Sequence, residues 1–299
     1  MKRILLLYSF GISMAVNSMT PPESKLTFLY SHGIADDQTQ AFLYTQVNPS
    51  NENPIIDNQN HTLVTFNYPD AGQGMIYPKI DSISDLFNLM AHLKTISYKV
   101  NRSQTSFAQE NEIQAIDEAQ ADITTPKVLV GASRGASTIL TWLATKSQEY
   151  TQNVKAVVLE SPFGSMDDIV RNILGESLYQ YPQARSLGHN IVRFIFSQYK
   201  RRGISPISVA ANIPKNIPIL IVCSKEDARV PAWSSENLAQ ALKDADHPMV
   251  HCITLEHGVH GQLIKGPDGQ TYRNTVHAFY KKYGLDHNPE WAELSKYFI

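Results

Sequence analysis

Cysteine is nearly absent. Two residues, Cys223 and Cys252, in a chain of 299 exclude a disulfide framework, and without a Cys-x-x-Cys pair or a Cys/His cluster they exclude a zinc site as well. Each sits in or at the end of an apolar run and reads as a buried thiol. Charge is sparse and balanced, with 26 Lys+Arg against 28 Asp+Glu and a net charge of -2. That composition lacks the basic field of a nucleic-acid binder. Long apolar runs are missing too. The one that stands out, Ile4–Val16, is too short to span a bilayer. No G-x-G-x-x-G turn, Walker loop, H-E-x-x-H helix or EF-hand loop occurs, so neither cofactor nor metal is expected.

What that N-terminal run does fit is an export signal. Lys2-Arg3 precede it, small residues Ser13 and Ala15 close it, and Asn17-Ser18 and Pro21-Pro22 follow. Residues 1–20 therefore read as a signal peptide or N-terminal extension, with 21–299 as one domain. Cleavage after Ala15 would make the mature protein periplasmic or secreted, with no membrane span left. The alternative is a first buried strand, Ile4–Tyr8, in a cytoplasmic protein.

A hydrophobic content of 42% over the whole chain suffices for one large core. Six short runs are apolar, rich in β-branched residues and bounded by turn signals: Leu26–Ser31, Leu63–Asn67, Lys127–Ala132, Val154–Glu160, Pro218–Cys223 and Val250–Leu255. Helical patterns lie between them at Asp85–Lys94, Gln109–Ala121, Ala136–Lys146 and Ser234–Leu242. Alternating strands and helices predict an α/β fold with a mostly parallel sheet of six core strands, covered on both faces. Two stretches exceed what such units need. Residues 79–108 form an insertion. Residues 166–203 read as helices placed as a cap over the active-site end of the sheet. The segment Ile191–Tyr199, ending in Lys200-Arg201-Arg202, admits a second reading as a helix lying on a lipid surface.

Chemistry concentrates in Gly131-Ala132-Ser133-Arg134-Gly135. A buried strand leads into it and a helix leaves it, the context in which G-x-S-x-G forms a nucleophile elbow. A serine hydroxyl needs a base to take its proton and an acid to orient that base. Asp227, in Lys225-Glu226-Asp227-Ala228-Arg229-Val230-Pro231, is the candidate acid, preferred over Glu226 because the Val-Pro run closes a packed turn on it. His260, in Glu256-His257-Gly258-Val259-His260-Gly261, is the candidate base, since His257 leaves its strand too early to reach Ser133. For the oxyanion, backbone N–H groups of Arg134 and of Ile34, in His32-Gly33-Ile34-Ala35, are the expected donors. His32 reads as a brace for that turn. Tyr179, Tyr181, Phe194 and Phe196 are candidates to line an acyl pocket, with core packing as the plainer role.

These pieces resemble the α/β-hydrolase superfamily, in particular its serine-aminopeptidase-like, prolyl-oligopeptidase-like and dienelactone-hydrolase-like members. The resemblance rests on His32-Gly33, GASRGA (131–136), LESPF (159–163), PILIVCSKEDARVP (218–231) and HGVHG (257–261), which occur in family order. It implies an α/β-hydrolase fold, a Ser133-Asp227-His260 triad, and hydrolysis of an ester, thioester or amide through an acyl-enzyme, on a small-molecule or peptide substrate. The chain departs from the family at Cys223-Ser224, where a His-Gly-type pair is usual. Two other functions remain open: a binding protein that kept the fold without turnover, and an acyltransferase using the same serine.

Overall fold

The computed structural model describes residues 25–33, 36–45, 54–57, 60–68 and 106–298. Ile34, the N-terminal segment 1–20, the helix expected at 85–94 and most of the 79–108 insertion lie outside the described residues.

Six strands are described: β1 (Thr27–Ser31), β2 (Thr62–Thr65), β3 (Lys127–Ala132), β4 (Val154–Glu160), β5 (Ile219–Ser224) and β6 (Val250–Leu255). They form one parallel sheet in the order β2-β1-β3-β4-β5-β6. Parallel strands buried on both faces need apolar side chains at every position, which is why these runs are continuous rather than alternating. β3 is buried throughout.

The two faces separate by parity along each strand. Phe28, Tyr30, Val128, Val130, Val158, Leu220 and Val222 point to one side. There they meet Ala41, Tyr44 and the C-terminal helix residues Tyr272, Val276, Phe279 and Tyr280. Leu29, Leu129, Val157, Leu159, Ile219 and Ile221 point to the other side, against Ile116, Ile139, Leu143, Leu238 and Leu242. Each such aliphatic side chain, fully buried, contributes about 1.5–3 kcal/mol. The longer helices among the described residues are α1 (Glu110–Gln120), α2 (Arg134–Thr145), α3 (Met166–Tyr179), α4 (Pro182–Ile195), α5 (Ala232–Asp244) and α6 (Gly269–Lys282). The sheet with helices on both faces is an α/β-hydrolase fold.

Within 166–203 two helices form, α3 and α4, and the stretch after Ile195 is turn and irregular backbone rather than helix. α3 starts from a capping box in which Ser165 and Asp168 exchange hydrogen bonds, and it is broken at Gly175, whose φ is 68°. α4 begins with Pro182 at a helix start. The pair builds a third apolar cluster with Phe107, Phe163 and Val230. Ile191, Val192, Phe196 and Tyr199 are buried in it. That removes the apolar face a lipid-surface helix would present, and Lys200 pairs with Glu110 at 2.8 Å. Phe196 is core, whereas Tyr181 is exposed. Cys223 is buried and Cys252 half-buried, both as free thiols. No helix among the described residues is long and apolar enough to cross a membrane.

Candidate active site

Ser133 follows the last residue of β3 and stands immediately before α2, with φ 53° and ψ -120°. A non-glycine residue held there is strained and needs its surroundings to enforce it. Two backbone hydrogen bonds do so: Ser133 N–H donates to Glu160 O at 2.7 Å, and Ser133 O accepts from Ser137 N–H at 3.0 Å. The elbow also requires a glycine at 135. A Cβ there would lie 2.1 Å from Ser31 O, so helix and strand pass too closely for any side chain.

Asp227 lies just beyond β5. Its Oδ1 accepts from the N–H groups of Arg229 and Val230, both at 2.9 Å, in the turn that Val230-Pro231 closes. Its Oδ2 faces His260 Nδ1 at 2.7 Å. His260 comes five residues after β6, and Gly261 beside it takes the left-handed φ of 69° that turns the chain back. His260 Nε2 lies 2.8 Å from Ser133 Oγ. Because Nδ1 meets a carboxylate, it carries the ring proton, and Nε2 is left to accept from the serine hydroxyl. Burial raises the Asp227 carboxyl, but the hydrogen bond and charge of His260 and the Val230 N–H outweigh it and hold its pKa below the ordinary value.

The residues weighed against these sit elsewhere. His257 and Glu226 pair with each other at 3.0 Å on the surface, where the carboxylate raises the His257 pKa. His32 is a brace, as its position implies. Its Nε2 accepts from Tyr68 N–H at 3.1 Å, so Nδ1 donates to Gly33 O at 2.8 Å. Arg134 opens α2, which places its backbone N–H beside Ser133 at the helix N-terminus. Ile34, the second expected oxyanion donor, is outside the described residues, but Gly33 before it packs on the elbow. A Cβ on Gly33 would lie 3.5 Å from Ser133 Cβ.

Sequence reasoning missed what supports these groups. The Arg134 side chain is fully buried, donates from Nη2 to Gly33 O at 3.3 Å and stacks on Tyr68 at 4.5 Å. It faces Glu112 on α1, at 3.9 Å, and Glu112 also accepts from Ser106 and from Phe107 N–H. Burial raises the Glu112 pKa against the opposing pull of Arg134. Gln40 is a second tie: its Oε1 accepts from Gly33 N–H at 2.9 Å and from Tyr30 Oη at 3.0 Å. Glu160 is a third, a buried carboxylate accepting from Leu263 N–H and Tyr44 Oη. Among the described residues no group of three or more His, Cys, Asp or Glu could hold a metal ion.

The sheet thus gathers at its carboxyl edge a serine in a strained elbow, an imidazole and a buried carboxylate in one hydrogen-bonded line. The model of the prolyl oligopeptidase family matches residues 114–285, a stretch that contains all three. It covers more than half of the chain. The chain belongs to the prolyl oligopeptidase family. No curated protein matches it. Among solved structures, an esterase from Pyrococcus furiosus is similar at 16% identity and a TM-score of 0.50, with 87% of this chain and 83% of that one covered. An acylaminoacyl peptidase in complex with Z-Gly-Gly-Phe-chloromethyl ketone is similar at 14% identity and a TM-score of 0.50, over 92% of this chain and 40% of that one. At these identities the likeness is one of fold. Family and fold together support a hydrolase.

Proposed function

We propose that this prolyl oligopeptidase family member is a serine hydrolase that cleaves an ester, thioester or amide through an acyl-enzyme. The reading rests on one observation, the unbroken line from Asp227 Oδ2 through His260 to Ser133 Oγ, with links of 2.7 and 2.8 Å. Ser133 Oγ attacks the carbonyl carbon while His260 Nε2 takes its proton, and Asp227 holds Nδ1 and favours the imidazolium. The negative charge moves to the carbonyl oxygen, which the N–H groups of Arg134 and Ile34 receive. His260 then returns the proton to the leaving group, and water repeats the sequence to free the acid and Ser133. Losing one oxyanion donor costs about 10²–10³ in kcat.

α3 and α4 act in this reading as a cap bordering the substrate. Val230, three residues after Asp227, packs into their cluster, and Asn172 of α3 donates to the carbonyls of Ala228 and Arg229 at 2.9 and 3.2 Å. The family match favours peptide or other acyl substrates. A fluorophosphonate probe should label the wild-type protein and spare Ser133→Ala; a folded wild type that stays unlabelled sinks the assignment. Parallel screens of p-nitrophenyl esters of rising chain length and aminoacyl arylamides separate esterase from peptidase. Product formed only with an added alcohol or amine would make it an acyltransferase instead.

A further inference from the structure

The chemistry above leaves one buried acid without a role. Glu160 ends β4, beside Ala132 across the sheet, and is 1% exposed. Three separate parts of the site converge on it. Its backbone oxygen accepts from Ser133 N–H at 2.7 Å, so it holds the elbow. Its Oε1 accepts from Leu263 N–H at 3.1 Å, three residues past His260, so it holds the histidine loop. Its Oε2 accepts from Tyr44 Oη at 2.9 Å. Tyr44 packs on Tyr30 with ring centres 5.2 Å apart, and Tyr30 donates to Gln40, which receives Gly33 N–H. Gln40 Nε2 in turn reaches Asp36 at 2.9 Å and Gly261 O at 3.4 Å.

A carboxylate buried at this depth is costly, and it takes one donor on each oxygen, which a neutral amide matches only if the Tyr44 hydroxyl turns to accept. We propose that Glu160 is a positioning residue of the hydrolase site: it fixes the His260 loop against the nucleophile elbow, and its negative charge favours the imidazolium formed when His260 takes the Ser133 proton. The proposal rests on the hydrolase reading for its second half and on the geometry alone for its first. The groups facing the carboxylate are Tyr30, Tyr44 and Tyr272, which are neutral, with His260 and Asp227 as the charged or titratable neighbours. Burial pushes the Glu160 carboxyl up to about 7, with Leu263 N–H, Tyr44 and His260 opposing and Asp227 adding to the rise. The carboxyl is therefore neutral well below pH 7 and supplies its charge as pH rises above about 7.

The test compares the full-length wild type with Glu160→Gln, which keeps shape and an acceptor oxygen, and Glu160→Leu, which keeps neither acceptor nor charge. Amide hydrogen exchange at Leu263, measured by NMR, should quicken in both variants and more in Glu160→Leu. Glu160→Gln should lose about tenfold in kcat with KM changed less than about twofold, as expected for an interaction made only in the transition state. The acid limb of its pH–rate profile should move to lower pH. A merely structural glutamate leaves the acid limb where it is, so wild-type kcat and an unmoved acid limb in folded Glu160→Gln overturn the electrostatic role. Unchanged Leu263 exchange in both variants overturns the positioning role. A wild type inert to fluorophosphonate defeats the hydrolase reading and with it the electrostatic half, while the exchange experiment still decides the positioning half. If Glu160→Leu does not fold, Glu160→Gln carries both readouts.

Discussion

Asp227→Asn should abolish turnover without unfolding the protein, because the loop dictates which way the new amide points. In the wild type, Oδ1 receives the N–H groups of Arg229 and Val230 at 2.9 Å, and Oδ2 faces His260 Nδ1 at 2.7 Å. An asparagine must turn its carbonyl oxygen to those two donors. The opposite orientation sets its NH₂ against both, at a cost of about 1–3 kcal/mol for each hydrogen bond lost. The NH₂ then points at Nδ1 and donates to it. Nδ1 becomes the acceptor, and the ring proton moves to Nε2, the atom 2.8 Å from Ser133 Oγ. A protonated Nε2 cannot take the serine proton. The expected loss is about 10⁴ in kcat, or about 5.5 kcal/mol of transition-state stabilisation, with KM little changed. Steady-state kinetics on whichever ester or arylamide the wild type cleaves, beside a thermal melt, provides the assay. Activity within tenfold of wild type at an unchanged Tm would refute the tautomer argument.

Three more outcomes follow from the same geometry. His257→Ala should leave kcat/KM within about twofold, since His257 pairs with Glu226 on the surface; a loss of tenfold or more would mean that the wrong histidine was assigned. Gly135→Ala forces a Cβ to 2.1 Å from Ser31 O and should cost 3 kcal/mol or more, on the order of the largest single-site effects, read as a drop in the urea midpoint. Glu160 makes stability depend on pH. Its folded-state pKa of about 7 lies above the ordinary 4.5, so the folded state holds the extra proton between those values. That contribution is fully present below about pH 4.5, is lost as pH rises through about 7, and amounts to about 3 kcal/mol. Asp227, whose pKa is lowered, acts in the opposite sense: its contribution is present above 3.8 and lost as pH falls below that value, outside this window. Urea unfolding across pH 4.5–8 should show the Glu160 slope as the difference between wild type and Glu160→Gln, because His251 and His277, both lowered to about 4 by burial, make either protein pH-dependent.

Much of the architecture could be read from the chain because parallel strands buried on both faces leave a local mark. The runs Lys127–Ala132, Val154–Glu160 and Val250–Leu255 coincide with β3, β4 and β6. Helix bounds drifted where caps carried the decision: α2 begins at Arg134 rather than Ala136, since the elbow itself is the helix start. The 191–199 segment shows the limit of periodicity. Its apolar stripe favours a protein core but leaves a lipid surface open, and the cluster with Phe107, Phe163 and Val230 decides for the core.

The site divides the same way. Ser133, Asp227 and His260 were each legible because each sits in a turn whose neighbours are constrained locally: glycines around the serine, Val-Pro after the aspartate, glycines beside the histidine. By itself the sequence determined the six-stranded α/β layout and which three side chains to bring together. Glu160, Glu112, Gln40 and the Arg134 side chain carry no such mark. Glu160 reads as the polar end of a strand, and the partners that give it meaning, Tyr44 and Leu263, are 116 and 103 residues away. Arg134 and Glu112 lie on different helices, α2 and α1, and meet only when both pack on one face of the sheet. Tertiary structure alone decided which polar groups are buried and what they face. Their hydrogen bonds and pKa values arise from desolvation and from contacts across the fold, and neither exists in an extended chain.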